Sequence, residues 1–206
     1  NSSADLAVWA RAAEVIVVNA PAGIVRRAEQ LQTPALIIPA RPFKLRLVIK
    51  ALRLHQWAKN ALLFIPLLAA HDFVGAWWLS TFLAFIAFGM CASATYIVND
   101  LFDLASDRAH PRKRARPFAA ATLSIPFGIV LIAVLLPLSL WLAAKISVLF
   151  FGLMLLYVVV TLLYSARLKQ VAIVDVLVLA LLYTHRILAG GVVSDVMISN
   201  WLLAVS

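Results

Sequence analysis

Cysteine, acidic charge and charge of any kind are scarce in this sequence. Cys91 is the one cysteine, so neither a disulfide framework nor a cysteine-built zinc cluster can come from this chain. It sits in an apolar run, where a small buried helix residue is expected. Only 13% of the 206 residues are charged, and 9 are acidic against 18 basic. No methionine precedes Met90, no secretory signal pattern opens the chain, and it stops at Ser206 inside an apolar run. A piece of a longer protein is expected from those features.

What is abundant is hydrocarbon. Hydrophobic residues make up 64% of the chain and the mean hydropathy is +0.98, whereas soluble domains are nearer half apolar. Several windows reach the roughly 20 helical residues that cross a hydrocarbon core. An integral membrane protein follows. The net charge of +9 does not indicate nucleic acid, because the basic residues flank apolar spans. There they set topology and meet anionic headgroups.

Residues 1–40 differ in texture. Ser3 to Ala13 has helical periodicity, Glu14 to Asn19 reads as a short strand, Ile24 to Leu31 as a basic helix and Pro34 to Pro39 as extended. This is α/β material too short to be a domain alone. Residues 41–59 carry Arg46, Lys50 and Arg53 between leucines and isoleucines, an amphipathic helix suited to the membrane interface, with Trp57 in the aromatic belt. Five spans follow, at about 54–70 (interrupted at Pro66), 74–99, 118–141 (kinked at Pro126 and Pro137), 146–165 and 171–191, and a sixth begins near Met197. Basic loops alternate with loops that are nearly free of lysine and arginine, which puts the loop at 108–116 on the cytoplasmic side.

That loop belongs to the densest charge in the chain, Asn99 to Pro117, NDLFDLASDRAHPRKRARP. Asn99, Asp103 and Asp107 recur at i, i+4 and i+8, which predicts one helical face, with Asp100 one residue round. Hard oxygen donors suit Mg²⁺, which bridges to substrate phosphates. Arg112, Lys113, Arg114 and Arg116 follow as phosphate donors. A metal and diphosphate site is the expectation, and intramembrane ionisable groups support it. Asp175 and Arg186, the two charges of the fifth span, stand about 16 Å apart along a helix. That is too far for an ion pair, so Arg186 is expected to face a phosphate in the cavity or to snorkel to an interface.

These residues carry a resemblance. HQWAKN at 55–60, the 99–117 stretch, YSARLK at 164–169 and VDVLVLALLYTHRILAGG at 174–191 resemble, in order, the UbiA superfamily of intramembrane prenyltransferases. Within it the chain looks most like the decaprenyl-phosphate phosphoribosyltransferase branch. The resemblance implies an all-α polytopic bundle of nine spans, with residues 41–206 holding about five and part of a sixth. It implies Mg²⁺ as cofactor on Asn99, Asp100, Asp103 and Asp107, with Asp103, Asp107 and Asp175 catalytic. It implies substrate contacts from Lys59, Asp100, Lys113, Arg114, Arg116, Tyr164, Lys169 and Arg186. Leu179 stands where aromatic prenyltransferases commonly carry a further aspartate, which favours the phosphoribosyl branch. Residues 1–40 resemble the closing segment of a haloacid dehalogenase-like domain, with Asp5 and Asn1 at its last acidic positions.

The implied reaction moves a phosphoribosyl group from 5-phosphoribosyl 1-diphosphate to a polyprenyl phosphate. It would occur in a bacterial inner membrane with the site facing the cytoplasm. A prenyl transfer to an aromatic or other acceptor is the competing enzyme reading, and an anion transporter or scaffold the non-enzymatic one. A fused phosphatase-like domain and a homo-oligomer are compatible with all three. A chain with five spans of nine is itself expected to be inactive, since its polar cavity would open to lipid.

Overall fold

The structure, a computed structural model, describes residues 2–31, 34, 36–38, 44–71, 75–166 and 172–197, without the side chains of Ala166, Ala172 and Asp175. Two compact units divide it, residues 1–44 and 45–206.

In the first unit a short helix α1 (Leu6–Trp9) precedes strand β1 (Ile16–Val18), helix α2 (Ala22–Leu31) and strand β2 (Leu36–Ile38). The strands pair in parallel, Val17 opposite Ile37. A parallel pair needs a crossover, and α2 provides it. Val15, Val17 and Ala28 are buried with Trp9 and Val25 packed round them.

The second unit is helical. Helix α3 (Leu45–Leu52) is followed by an 11-residue 3₁₀ segment, Leu54–Phe64, and by the short helix α4 (Ile65–Ala69). Then come α5 (Trp77–Phe102), α6 (Leu104–Ala109), α7 (Ile125–Ile146), α8 (Val148–Ala166) and α9 (Ala172–Ser194). Four of these are long and apolar enough to cross a membrane, within α5, α7, α8 and α9. The first expected span is therefore not one α-helix. Arg53 turns left-handed, with φ 52°, and ends α3, and Pro66 opens α4 instead of interrupting a span. Proline suits a first helical turn because its missing N–H has no partner there. Pro126 does the same at the start of α7, where the Ser124 hydroxyl accepts from the Phe127 N–H. The third span consequently begins at Ile125 and not near 118. The sixth expected span falls outside the described residues beyond Met197.

Helix α5 is the centre of the bundle. Its apolar window is 61% buried, against 17% for those of α7 and α8. The reason is its small side chains: Ala84, Ala87, Gly89, Cys91, Ala92 and Ser93 let neighbours approach closely. α7 packs along it, α8 lies between α7 and α9, and α9 closes on the 3₁₀ segment and α4. A Cβ on Gly89 would meet the Trp57 indole at 2.6 Å. Trp57 is thus packed inward and not in an aromatic belt, its Nε1 donating to Ser93 Oγ at 3.0 Å while that hydroxyl donates to Leu52 O at 2.7 Å.

Candidate active site

A cavity of about 360 Å³ opens between the 3₁₀ segment, α5, α8 and α9. Arg53, Gln56 and Lys59 line it from the 3₁₀ segment, Thr95, Tyr96 and Asn99 from α5, Tyr157, Thr161 and Tyr164 from α8, and Leu179, Leu182, Tyr183 and Arg186 from α9. Three cations share one wall system with tyrosines. Arg186 is 4% exposed. Its Nε donates to Asn60 Oδ1 at 3.1 Å and its Nη1 to the Leu182 carbonyl. Its guanidinium lies 5.2 Å from the Phe88 ring centre, 5.5 Å from Tyr157 and 5.9 Å from Tyr183. Lys59 stands 5.7 Å over Tyr183, and Arg53 4.8 Å over Tyr96. Among the described residues neither Arg186 nor Lys59 has a carboxylate partner. Arg186, buried and held by π faces and neutral acceptors, keeps its charge available to an anion, and Lys59 is exposed to the cavity.

The acidic stretch divides into two directions. Two i+4 steps on an α-helix rotate by about 80°, whereas an i+7 step rotates by only about 20°. Asp107 is therefore closer in direction to Asp100 than to Asn99, and the single face expected for Asn99, Asp103 and Asp107 does not form. Arg116 Nη1 donates to Asp100 Oδ1 at 3.2 Å and to Asp107 Oδ2 at 2.7 Å, and Arg53 Nη2 donates to the same Asp100 oxygen. Both acids are buried, at 3% and 1% exposure. Asn99 faces the cavity instead. Asp103 stands at the junction of α5 and α6, its N–H donating to Asn99 O and its carbonyl accepting from Asp107 N–H and Ser106 Oγ. No group of three or more His, Cys, Asp or Glu side chains suited to one metal ion occurs among the described residues.

Of the residues named from sequence, Asn99, Lys59, Tyr164 and Arg186 meet at the cavity. Asp100, Asp107 and Arg116 meet in the ion cluster, where Arg116 Nη1 is taken up by both carboxylates. Lys113 and Arg114 are exposed on a 3₁₀ turn and do not line the cavity. Lys169 and the Asp175 side chain lie outside the described residues. Sequence reasoning placed Arg53 at the interface and passed over Gln56, Asn60, Tyr96, Tyr157 and Tyr183. The available signal was spacing: Arg53, Gln56 and Lys59 recur every third residue, which a search at helical period 3.6 discards. His185 is buried, its ring stacked on Tyr157 at 6.0 Å.

A bundle of membrane-length helices around a cavity lined by cations, tyrosines and Asn99 defines an integral membrane protein with a cationic cavity. The profile of the UbiA prenyltransferase family matches residues 61–206, and the chain belongs to that family. An uncharacterized protein, y4nM, of Sinorhizobium fredii is 36% identical across all of this chain and 40% of its own length. The nodulation protein NoeC of Azorhizobium caulinodans is 38% identical over 76% of this chain and 51% of its own. The decaprenyl-phosphate phosphoribosyltransferase of Mycolicibacterium smegmatis is 34% identical over 77% of this chain and 51% of its own. The chain thus spans about half the length of the curated relatives it matches. In fold it is similar to a UbiA homologue from Archaeoglobus fulgidus solved with GPP and Mg²⁺, with a TM-score of 0.64 at 23% identity over 77% of this chain and 57% of that one.

Proposed function

We propose that the full-length protein transfers a phosphoribosyl group from 5-phosphoribosyl 1-diphosphate to a polyprenyl phosphate at the cytoplasmic face of the membrane. The observation that carries this reading is the cavity in which Arg53, Lys59 and Arg186 converge on one polar space. Such a site accepts a highly anionic small substrate and holds the phosphate of a lipid whose tail lies along the bundle. The bond from the ribose C1 to diphosphate breaks, and a bond from C1 to a phosphate oxygen of the lipid forms. That oxygen is already anionic, so no base is required from the protein. The cavity cations stabilise charge as the diphosphate departs, and the tyrosine walls exclude bulk water.

Mg²⁺ fits the residues present. Every donor offered by Asn99, Asp103 and Asp107 is a hard oxygen, and Asp107 Oδ1 is buried with no hydrogen-bond donor on it. Asn99 and Asp103 are the residues that would hold the ion, and Asp107, turned toward Arg116, would offer only its unbonded Oδ1. Bound there, the ion supplies positive charge against the leaving diphosphate.

Prenyl transfer is the second reading, and Leu179 weighs against it. The cavity wall is apolar there, where the two-motif prenyltransferases commonly carry an aspartate. The names of several relatives point the same way. Residues 1–40 we read as the remnant of a soluble α/β domain joined to residues 41–206, the N-terminal part of the transferase domain, and the parallel β1–α2–β2 unit supports this.

The test is transfer by the full-length protein in lipid vesicles. With ribose-labelled 5-phosphoribosyl 1-diphosphate and polyprenyl phosphate, label enters the lipid extract and chelation of Mg²⁺ stops it. Product formed only from a prenyl diphosphate would refute the reading.

A further inference from the structure

The 3₁₀ segment Leu54–Phe64 is long for its kind, since runs beyond three or four residues are uncommon. Its geometry explains which residues reach the cavity. A 3₁₀ helix has 3.0 residues per turn, so every third side chain points the same way. On an α-helix each such step would turn by about 60°, and Lys59 would point about 120° away from Arg53. Here Gln56 N–H donates to Arg53 O at 2.7 Å, an i to i+3 bond that starts the 3₁₀ register. Gln56 and Lys59 consequently share one row, and Arg53, the left-handed residue just before the segment, lines the cavity beside them. A second row, Trp57, Asn60 and Leu63, faces the bundle. Trp57 lies against Gly89, Asn60 holds Arg186, and the Leu63 carbonyl lies where a Cβ on Gly190 would be. The inner row therefore fixes the register in which the outer row is presented.

This wall presents a cation, a neutral amide and a cation, with about 6 Å of rise from Gln56 to Lys59. An amide between two cations matches a ligand with hydroxyls between two anionic groups. An allylic diphosphate offers nothing polar beyond its phosphates for the middle position.

We propose that Gln56 is a specificity-determining residue that hydrogen-bonds the hydroxylated ring of a sugar phosphorylated at both ends, while Arg53 and Lys59 flank it. Gln56 is half-buried on the cavity wall, so its replacement leaves the inner row intact. This rests on the phosphoribosyl reading and names the residue that separates a phosphosugar donor from a prenyl one.

The experiment uses the full-length protein in vesicles. Gln56→Leu is expected to raise the KM for 5-phosphoribosyl 1-diphosphate roughly three- to tenfold, the worth of one or two neutral hydrogen bonds. The KM for polyprenyl phosphate and the inhibition constant of inorganic pyrophosphate, which has no ring, stay at the wild-type values. Gln56→Asn recovers part of the donor KM. An unchanged donor KM in Gln56→Leu overturns the inference alone. A parallel rise in all three constants also overturns it, since that marks a general disturbance of the cavity. A wild-type protein that makes no phosphoribosyl lipid overturns both this inference and the proposed function.

Discussion

Two clusters of charge lie within the same helical unit and solve the same problem in opposite ways. At the end of α5, Asp100 and Asp107 are answered by Arg53 and Arg116. Across the cavity, Lys59 and Arg186 are answered by ring faces, a carbonyl and the Asn60 amide oxygen. Paired charge ties chain to chain, here the loop before α7 to the end of α5. Charge set against neutral partners leaves room for an incoming anion. Arg53 belongs to both clusters, and its left-handed backbone, which costs about 1–3 kcal/mol, is what aims it at both.

Breaking the paired cluster should have the largest effect. Arg116→Met leaves two buried carboxylates short of a partner, and about 3–5 kcal/mol of stability should be lost. Thermal unfolding in detergent measures it, and adding Asp107→Asn should restore part of the loss. In the cavity, Arg186→Gln should weaken pyrophosphate binding roughly 10- to 100-fold, the worth of a charged hydrogen bond at about 1.5–3 kcal/mol. Titration calorimetry reads that change. The seat of the 3₁₀ segment comes next. Gly190→Ala drives a methyl into the Leu63 carbonyl, and overpacking of this kind costs about 1–3 kcal/mol. Its unfolding temperature should fall before ligand binding is affected in the protein that remains folded. Smallest is Ser93→Ala, which removes the hydroxyl between the Trp57 indole and the Leu52 carbonyl. About 1 kcal/mol is expected from unfolding experiments.

The membrane spans of α5, α7, α8 and α9 were legible because long apolar runs between basic loops admit few other structures. The 3₁₀ segment was not, since Leu54–Ala69 has the composition of a short span and its period of three lies in polar residues that hydropathy ignores. The acidic stretch was legible as a dense charge cluster but not in its division. Counting i+4 steps hides the rotation that accumulates between Asn99 and Asp107, and the arginine that takes up Asp100 and Asp107 comes from a loop 9 residues beyond Asp107. Arg186 was legible because a lone cation deep in a span has few uses. Its holder, Asn60, is 126 positions away in sequence, a separation that no local pattern can bridge.

Lys59 and Arg186, which lack a carboxylate partner among the described residues, carry the ligand, Arg116 carries the fold, and Arg53 serves both. Titration of magnesium pyrophosphate into purified full-length protein with Lys59→Gln and Arg186→Gln combined tests it most directly. A folded protein is expected whose affinity has fallen by roughly 100-fold or more, because two charged hydrogen bonds to the ligand are removed at once. Binding at the wild-type affinity in that folded variant would contradict it.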